Sequence, residues 1–314
     1  MNDTEDRHRS AAAELKGAVE EVARRLKAAM GEEDVEISHG DPSPAGDAAA
    51  LRSLSENFGL SNLERRIVVM CAGYELDAGF GKLIERLSPG SRPGPTVGLA
   101  RALGSSSDAI WSAFAPDAPL RRWRLLEVSS SGPLLRRRCR LAERVFLHLT
   151  GVSTVDERLS GYVEPNADRA GSGSDGDSQV ASIASEMRRA SFAGDSPVIQ
   201  LCGPRAGMMR RMAGRLARRL DREPIAWVEL DLPPTPEDRD ELRRLWERES
   251  RLRDATLVVE VPEQKERRRR MVEFLERLRA PTIVTARQPF PLERRPVRRL
   301  QVEPPRAELQ RTMW

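Results

Sequence analysis

The stretch Pro197-Val198-Ile199-Gln200-Leu201-Cys202-Gly203-Pro204-Arg205-Ala206-Gly207-Met208-Met209-Arg210 sets an apolar run before Gly-Pro, a second glycine and a segment of helical character. Strand, glycine-bearing loop and helix in that order can form a phosphate-binding unit, because backbone amides and a helix N-terminus face the anion. A hydrolytic version reads G-x-x-x-x-G-K-[ST], in which Lys reaches the β- and γ-phosphates and the hydroxyl holds Mg²⁺. Here Met208 and Met209 follow Gly207, and the interval from Gly203 to Gly207 is one residue short. Methionine supplies neither a positive charge nor a donor. Gly203, Pro204, Arg205, Ala206, Gly207, Met208 and Met209 are thus the candidate phosphate-loop residues, in a form that argues for a nucleotide-hydrolase fold and against ordinary hydrolysis. Arg205, Arg210 and Arg211 are the cations nearby in sequence.

Two further strand ends bear on that chemistry. A metal-assisted phosphoryl transfer needs an acid at the end of a neighbouring strand. Thr256-Leu257-Val258-Val259-Glu260-Val261 offers Glu260 as the candidate catalytic acid, but Val261 stands where a second acid is usual. Thr282-Ile283-Val284-Thr285-Ala286-Arg287 offers Thr285, with Arg287, where a polar sensor of the γ-phosphate would lie. No metal ligand set is expected: Cys71, Cys139 and Cys202 are far apart, and His8, His39 and His148 are isolated. Cys71 and Cys202 sit in apolar runs and read as core residues.

These groups must be positioned by an α/β unit. Strand runs at 197–202, 225–230, 255–261, 281–286 and 297–302 alternate with helical runs at 180–190, 208–220, 236–252 and 267–278. Such alternation implies a parallel sheet with right-handed crossovers. The run 255–261 is nearly continuous in apolar residues, as a strand buried on both faces should be. Ahead of it, residues 164–178 are rich in Gly, Ser and Asp and read as a flexible linker.

The first half reads differently. Leu15, Val19, Val22 and Leu26 recur at helical spacing within 11–30, and residues 38–47 read as a second linker. Ser61 followed by Glu64 forms a capping box, opening a helix through Ile67 and Met70. Short helices are expected from Asp77, from Thr96 and around 110–114. Strand candidates at 123–128 and 134–141 then flank the turn 129–133. Helices followed by a β-hairpin is the order of a winged helix, a fold that often reads DNA. Arg121, Arg122, Arg124, Arg136, Arg137, Arg138 and Arg140 cluster at this hairpin, where they can meet phosphate, a protein partner or solvent. A net charge of +4 over 314 residues is too low to decide for nucleic acid.

The chain resembles bacterial AAA-type ATPases with an N-terminal winged-helix region, encoded beside phage-tail-like contractile injection systems. The resemblance rests on Phe58-Gly59-Leu60-Ser61-x-x-Glu64-Arg65, Cys71-Ala72-Gly73-Tyr74-Glu75-Leu76-Asp77, Pro95-Thr96-Val97-Gly98-Leu99-Ala100 and Ala118-Pro119-Leu120-Arg121-Arg122-Trp123-Arg124-Leu125. It extends through Arg144-Val145-x-x-x-Leu149-x-Gly151-Val152-x-x-x-Asp156-x-Arg158-Leu159, then Leu245-Trp246-x-Arg248-Glu249 and the degenerate Gly203-Pro204 loop. It implies ATP with Mg²⁺ as cofactor, self-assembly or injection-system proteins as partners, and a lid and second ATPase module that would follow Trp314.

The expected architecture is therefore mixed. An N-terminal helix and linker (1–47) precede a winged-helix-like domain (48–163), the linker 164–178 and a degenerate AAA-type P-loop α/β domain (179–314) lacking its lid. The expected function is a non-hydrolysing scaffold of an injection particle. The alternatives are an ATP-binding AAA ATPase and a winged-helix DNA-binding regulator. No run of about 18 apolar residues and no signal-peptide core are present, so no membrane partner and a cytoplasmic location are expected.

Overall fold

The computed structural model describes residues 2–29, 31, 49–88, 93–104, 107–165, 177–189, 197–228 and 231–302. The expected linker 38–47, most of the linker 164–178 and the C-terminal residues from 303 lie outside them. The chain divides into two compact units, Met1–Thr154 and Val155–Trp314.

The first unit contains helices α1 (Asn2–Ala29), α2 (Ala49–Phe58), α3 (Asn62–Leu76), α4 (Ala78–Leu87), α5 (Val97–Arg101), α6 (Ser107–Ala113) and α7 (Pro119–Arg122). A hairpin of β1 (Leu126–Val128) and β2 (Cys139–Leu141) and helix α8 (Glu143–Leu149) follow. α1 belongs to this unit's packing, with Leu15, Val19, Val22 and Leu26 all buried. The capping box opens α3 as expected. The Ser61 hydroxyl accepts from the Glu64 N–H, and a Glu64 carboxylate oxygen accepts from the Ser61 N–H at 2.9 Å. Such a cap stabilises a helix by about 1 kcal/mol. Thr96 has two duties. Its hydroxyl accepts from the Leu99 N–H at 3.1 Å, capping α5, and its backbone bridges Arg138 antiparallel. Pro95 and Thr96 thereby lay a short third strand beside β2, through Cys139 N–H to Pro95 O (2.9 Å) and Val97 N–H to Arg137 O (3.0 Å).

The hairpin strands are shorter than 123–128 and 134–141. Arg124 adopts φ +52°, which turns the chain out of α7 before a strand can begin. Pro133 starts a 3₁₀ turn over Leu134–Arg136. Half-buried Leu135 leans on α5, where a Cβ on Gly98 would stand 2.8 Å from the Leu135 carbonyl oxygen. The glycine of the Thr96-Val97-Gly98 motif is thus required by that close approach.

The second unit is an α/β fold with strands β3 (Val163–Pro165), β4 (Val198–Cys202), β5 (Glu223–Trp227), β6 (Ala255–Glu260), β7 (Thr282–Ala286) and β8 (Val297–Gln301). They form one sheet in the order β3-β5-β6-β7-β4-β8, parallel except for β3, which pairs antiparallel with β5. Helices α9 (Asp177–Arg189), α10 (Ala206–Arg219), α11 (Pro236–Leu252) and α12 (Lys265–Arg277) supply the covering layers. Strand alternation divides the apolar side chains between two cores. Val198, Leu257, Val259 and Val284 join Trp246 of α11 and Phe274 of α12. Ile199, Leu201, Val258 and Ile283 join Val180 of α9 and Met212 and Leu216 of α10.

The expected linker boundary moves. Residues 163–165 form strand β3, and the segment before it is clasped to α11. Asp156 caps a 3₁₀ turn over Glu157–Leu159, chelates the Arg158 guanidinium at 3.0 Å and binds Arg248, whose side chain is fully buried. Burial alone would raise the Asp156 pKa, but the hydrogen bonds from Arg158 and the charge of Arg248 hold it below the ordinary carboxylate value. Leu159 and Trp246 are both buried in the same core. The two sequence motifs around Asp156 and Arg248 are the two halves of this clasp.

Candidate functional site

The carboxyl ends of β5, β6 and β7 open into a cleft of about 840 Å³ roofed by the first turns of α10 and the loop into α12. Ligands of open α/β sheets bind outside the carboxyl ends of the strands, where successive connections run in opposite directions. β4 and its neighbour β7 meet that condition: the chain leaves β4 for β5 on one side and leaves β7 for β8 on the other.

The candidate loop residues sit around this cleft in a different form from a phosphate loop. α10 begins at Ala206, two residues earlier than expected, so only Gly203, Pro204 and Arg205 join strand to helix. Gly203 is buried in backbone. Its N–H donates to Ala286 O at 3.1 Å, and a Cβ there would stand 2.7 Å from Val302 O. The glycine therefore admits the chain leaving β8. Arg205 takes the N-cap position of α10 without a side-chain cap, and no acid occupies the first turn. Ala206 and Gly207 are the first exposed helical residues. Met208 packs partly buried against the α9–α10 core, and Met209 lies 2% exposed within it. They fill space beneath the helix.

The strand-end groups are brought together with arginines that the local sequence did not pair. Glu260 lines the cleft and receives Arg210 of α10 at 2.5 Å. Arg287 binds Glu263 at 2.6 Å, and Arg267 of α12 binds Asp231 at 2.7 Å. Thr285 also lines the cleft, 1% exposed, with its hydroxyl directed to the Val259 carbonyl at 3.5 Å. Arg211 lies back over the first turn, its guanidinium 3.7 Å from where a Cβ on Gly207 would be, and has no ion-pair partner among the described residues. No cluster among them could hold a metal ion. These cross-element pairs depend on strand order, so no short-range signal marks them. The cleft can hold an oxyanion against guanidinium groups. The Lys and hydroxyl of a hydrolytic loop are absent from the start of α10, and the acid at the end of β6, Glu260, is bonded to Arg210.

The first unit offers the other surface. In the hairpin, Leu126 faces Leu141, Glu127 faces Arg140 and Val128 faces Cys139. Helices, a bridging strand at Thr96, three further helices and this hairpin follow the order of a winged helix. The family model for the winged helix domain, variant, matches residues 1–163, slightly more than half of the 314. The chain belongs to that family. A comparison with curated proteins returns no match. This winged helix domain carries its arginines mostly in local contacts. Arg140 pairs with Glu127 at 2.7 Å, Arg137 donates to Gly132 O at 2.9 Å and Arg121 donates to Phe114 O at 3.1 Å. The Arg122 guanidinium lies over the Trp123 ring at 4.8 Å. α7, the helix that leads into the hairpin, carries Arg121 and Arg122, and α6 before it leaves Trp111 46% exposed. No helix among the described residues is long and apolar enough to cross a membrane.

Proposed function

We propose that this protein is a non-hydrolysing scaffold, in which the winged-helix unit docks a protein partner and the second unit is an AAA-type nucleotide fold stripped of its chemistry. The observation that carries the reading is the three-residue connection from β4 to α10. It is too short to wrap a phosphate, and its glycine is spent on the close approach of Val302. The Arg210 guanidinium 2.5 Å from Glu260 adds to it, because its positive charge disfavours a cation beside that acid. The placement of this scaffold in a contractile injection system rests on the first-unit motifs quoted above. Phosphate release from ATP with Mg²⁺ tests the reading: the expected rate is that of buffer, and sustained turnover would overturn it.

Membership of the winged helix family favours a second reading, a DNA-binding regulator. The local use of the hairpin arginines weighs against it. DNA contact by Arg136 and its neighbours would show a steep loss of affinity with salt. The scaffold reading expects no specific duplex binding in fluorescence anisotropy even at low salt.

A further inference from the structure

The cleft at the carboxyl ends of β5, β6 and β7 contains more cationic chemistry than the fold requires. Arg210, Arg211, Arg267 and Arg287 all line it, drawn from α10, α12 and the end of β7. Arg210 and Arg287 are paired with Glu260 and Glu263 across the mouth, and all four of these side chains are at least 42% exposed. Exposed ion pairs are weak and easily exchanged, because water screens both charges. Arg211 has no carboxylate partner among the described residues, and its guanidinium hangs over the first turn of α10. Guanidinium forks bind phosphate and carboxylate oxygens bidentately. A cleft of about 840 Å³ also falls in the range of small-molecule sites.

We propose that the cleft binds a compact polyanion without a metal ion, the ligand's oxyanions taking Arg210 and Arg287 from Glu260 and Glu263 and engaging Arg211. The proposal rests on reading the second unit as non-hydrolysing, and it adds the ligand class and the manner of binding. It carries a sign that separates it from a metal-dependent nucleotide site. In a metal site, Glu260 helps, and its loss weakens binding. In an exchange site, Glu260 competes with the ligand, and its loss strengthens binding.

Calorimetric titration of the full chain with inorganic diphosphate in EDTA tests this, with citrate as the polycarboxylate arm. Saturable binding is expected without Mg²⁺. Glu260→Gln should tighten it by up to about five-fold, the equivalent of one exposed ion pair. Arg211→Ala should weaken it by about ten-fold or more, as expected for a lost charge-assisted hydrogen bond. Circular dichroism and melting confirm that both exposed-site variants remain folded. Binding of diphosphate alone assigns a phosphate ligand, and binding of both assigns oxyanions generally. The proposal is overturned if neither anion binds in EDTA at millimolar concentration, if binding requires Mg²⁺, or if Glu260→Gln weakens it. Absence of binding together with absence of ATP turnover would remove this inference and leave the scaffold reading standing. Mg²⁺-dependent turnover would remove both.

Discussion

At the scale of single residues, buried charge dominates the account. Asp156 is 5% exposed and Arg248 is fully buried, so removing the Asp156 carboxylate takes from the buried guanidinium the acid it binds. Breaking such a pair from one side costs about 3–5 kcal/mol. Asp156→Asn is therefore expected to lower unfolding free energy by that order in urea, without changing the circular dichroism of the native state. A loss below about 1 kcal/mol would mean that the pair is open to water. The pH dependence has a definite sign. The folded pKa of Asp156 lies below its unfolded value. Its stabilisation is present above about pH 4 and is lost as pH falls through the lower folded value. The wild-type advantage over Asp156→Asn should shrink on acidification. His148 acts in the other unit. Burial, then the charge of Arg144, lowers its pKa to about 4. Its neutral form is the folded one, so stability is full above about pH 6.5 and declines toward pH 4, by about 3 kcal/mol. Melting curves of His148→Gln across that interval should be flatter than those of the wild type.

At the scale of elements, the connection from β4 to α10 decides between two uses of one glycine. A glycine kept for a phosphate would tolerate alanine structurally and lose ligand. Gly203 has Val302 O where the Cβ would go, at 2.7 Å. Gly203→Ala should therefore destabilise the second unit by about 1–3 kcal/mol, the usual cost of overpacking, as read by the thermal midpoint. An unchanged midpoint would contradict this packing role. Much of this element order was legible in the sequence. The runs at 236–252 and 281–286 match α11 and β7 to within a residue, because their apolar periodicity and flanking prolines are local signals. The start of α10 and the length of the hairpin strands were not. α10 opens without a capping side chain, and β1 is delayed by a left-handed arginine that no residue-type preference announces. The Arg210–Glu260 and Arg267–Asp231 pairs were equally hidden, since they join elements whose adjacency exists only after the strand order is set.

At the scale of the whole molecule, two units with separate cores should unfold in two transitions. Differential scanning calorimetry is expected to resolve them, with Asp156→Asn lowering one and His148→Gln altering the pH response of the other. A single transition shifted by both variants would contradict that independence. The strand alternation, the crevice at the switch between β4 and β7, and a cleft lined by arginines are all present in the second unit. The proposed scaffold role treats them as a nucleotide fold without the charge and hydroxyl that would act on a γ-phosphate. The measurement that addresses this most directly is phosphate release from ATP and Mg²⁺ by the wild type beside Glu260→Gln. Both are expected to remain at the rate of buffer. Turnover by the wild type that collapses in Glu260→Gln would contradict that expectation.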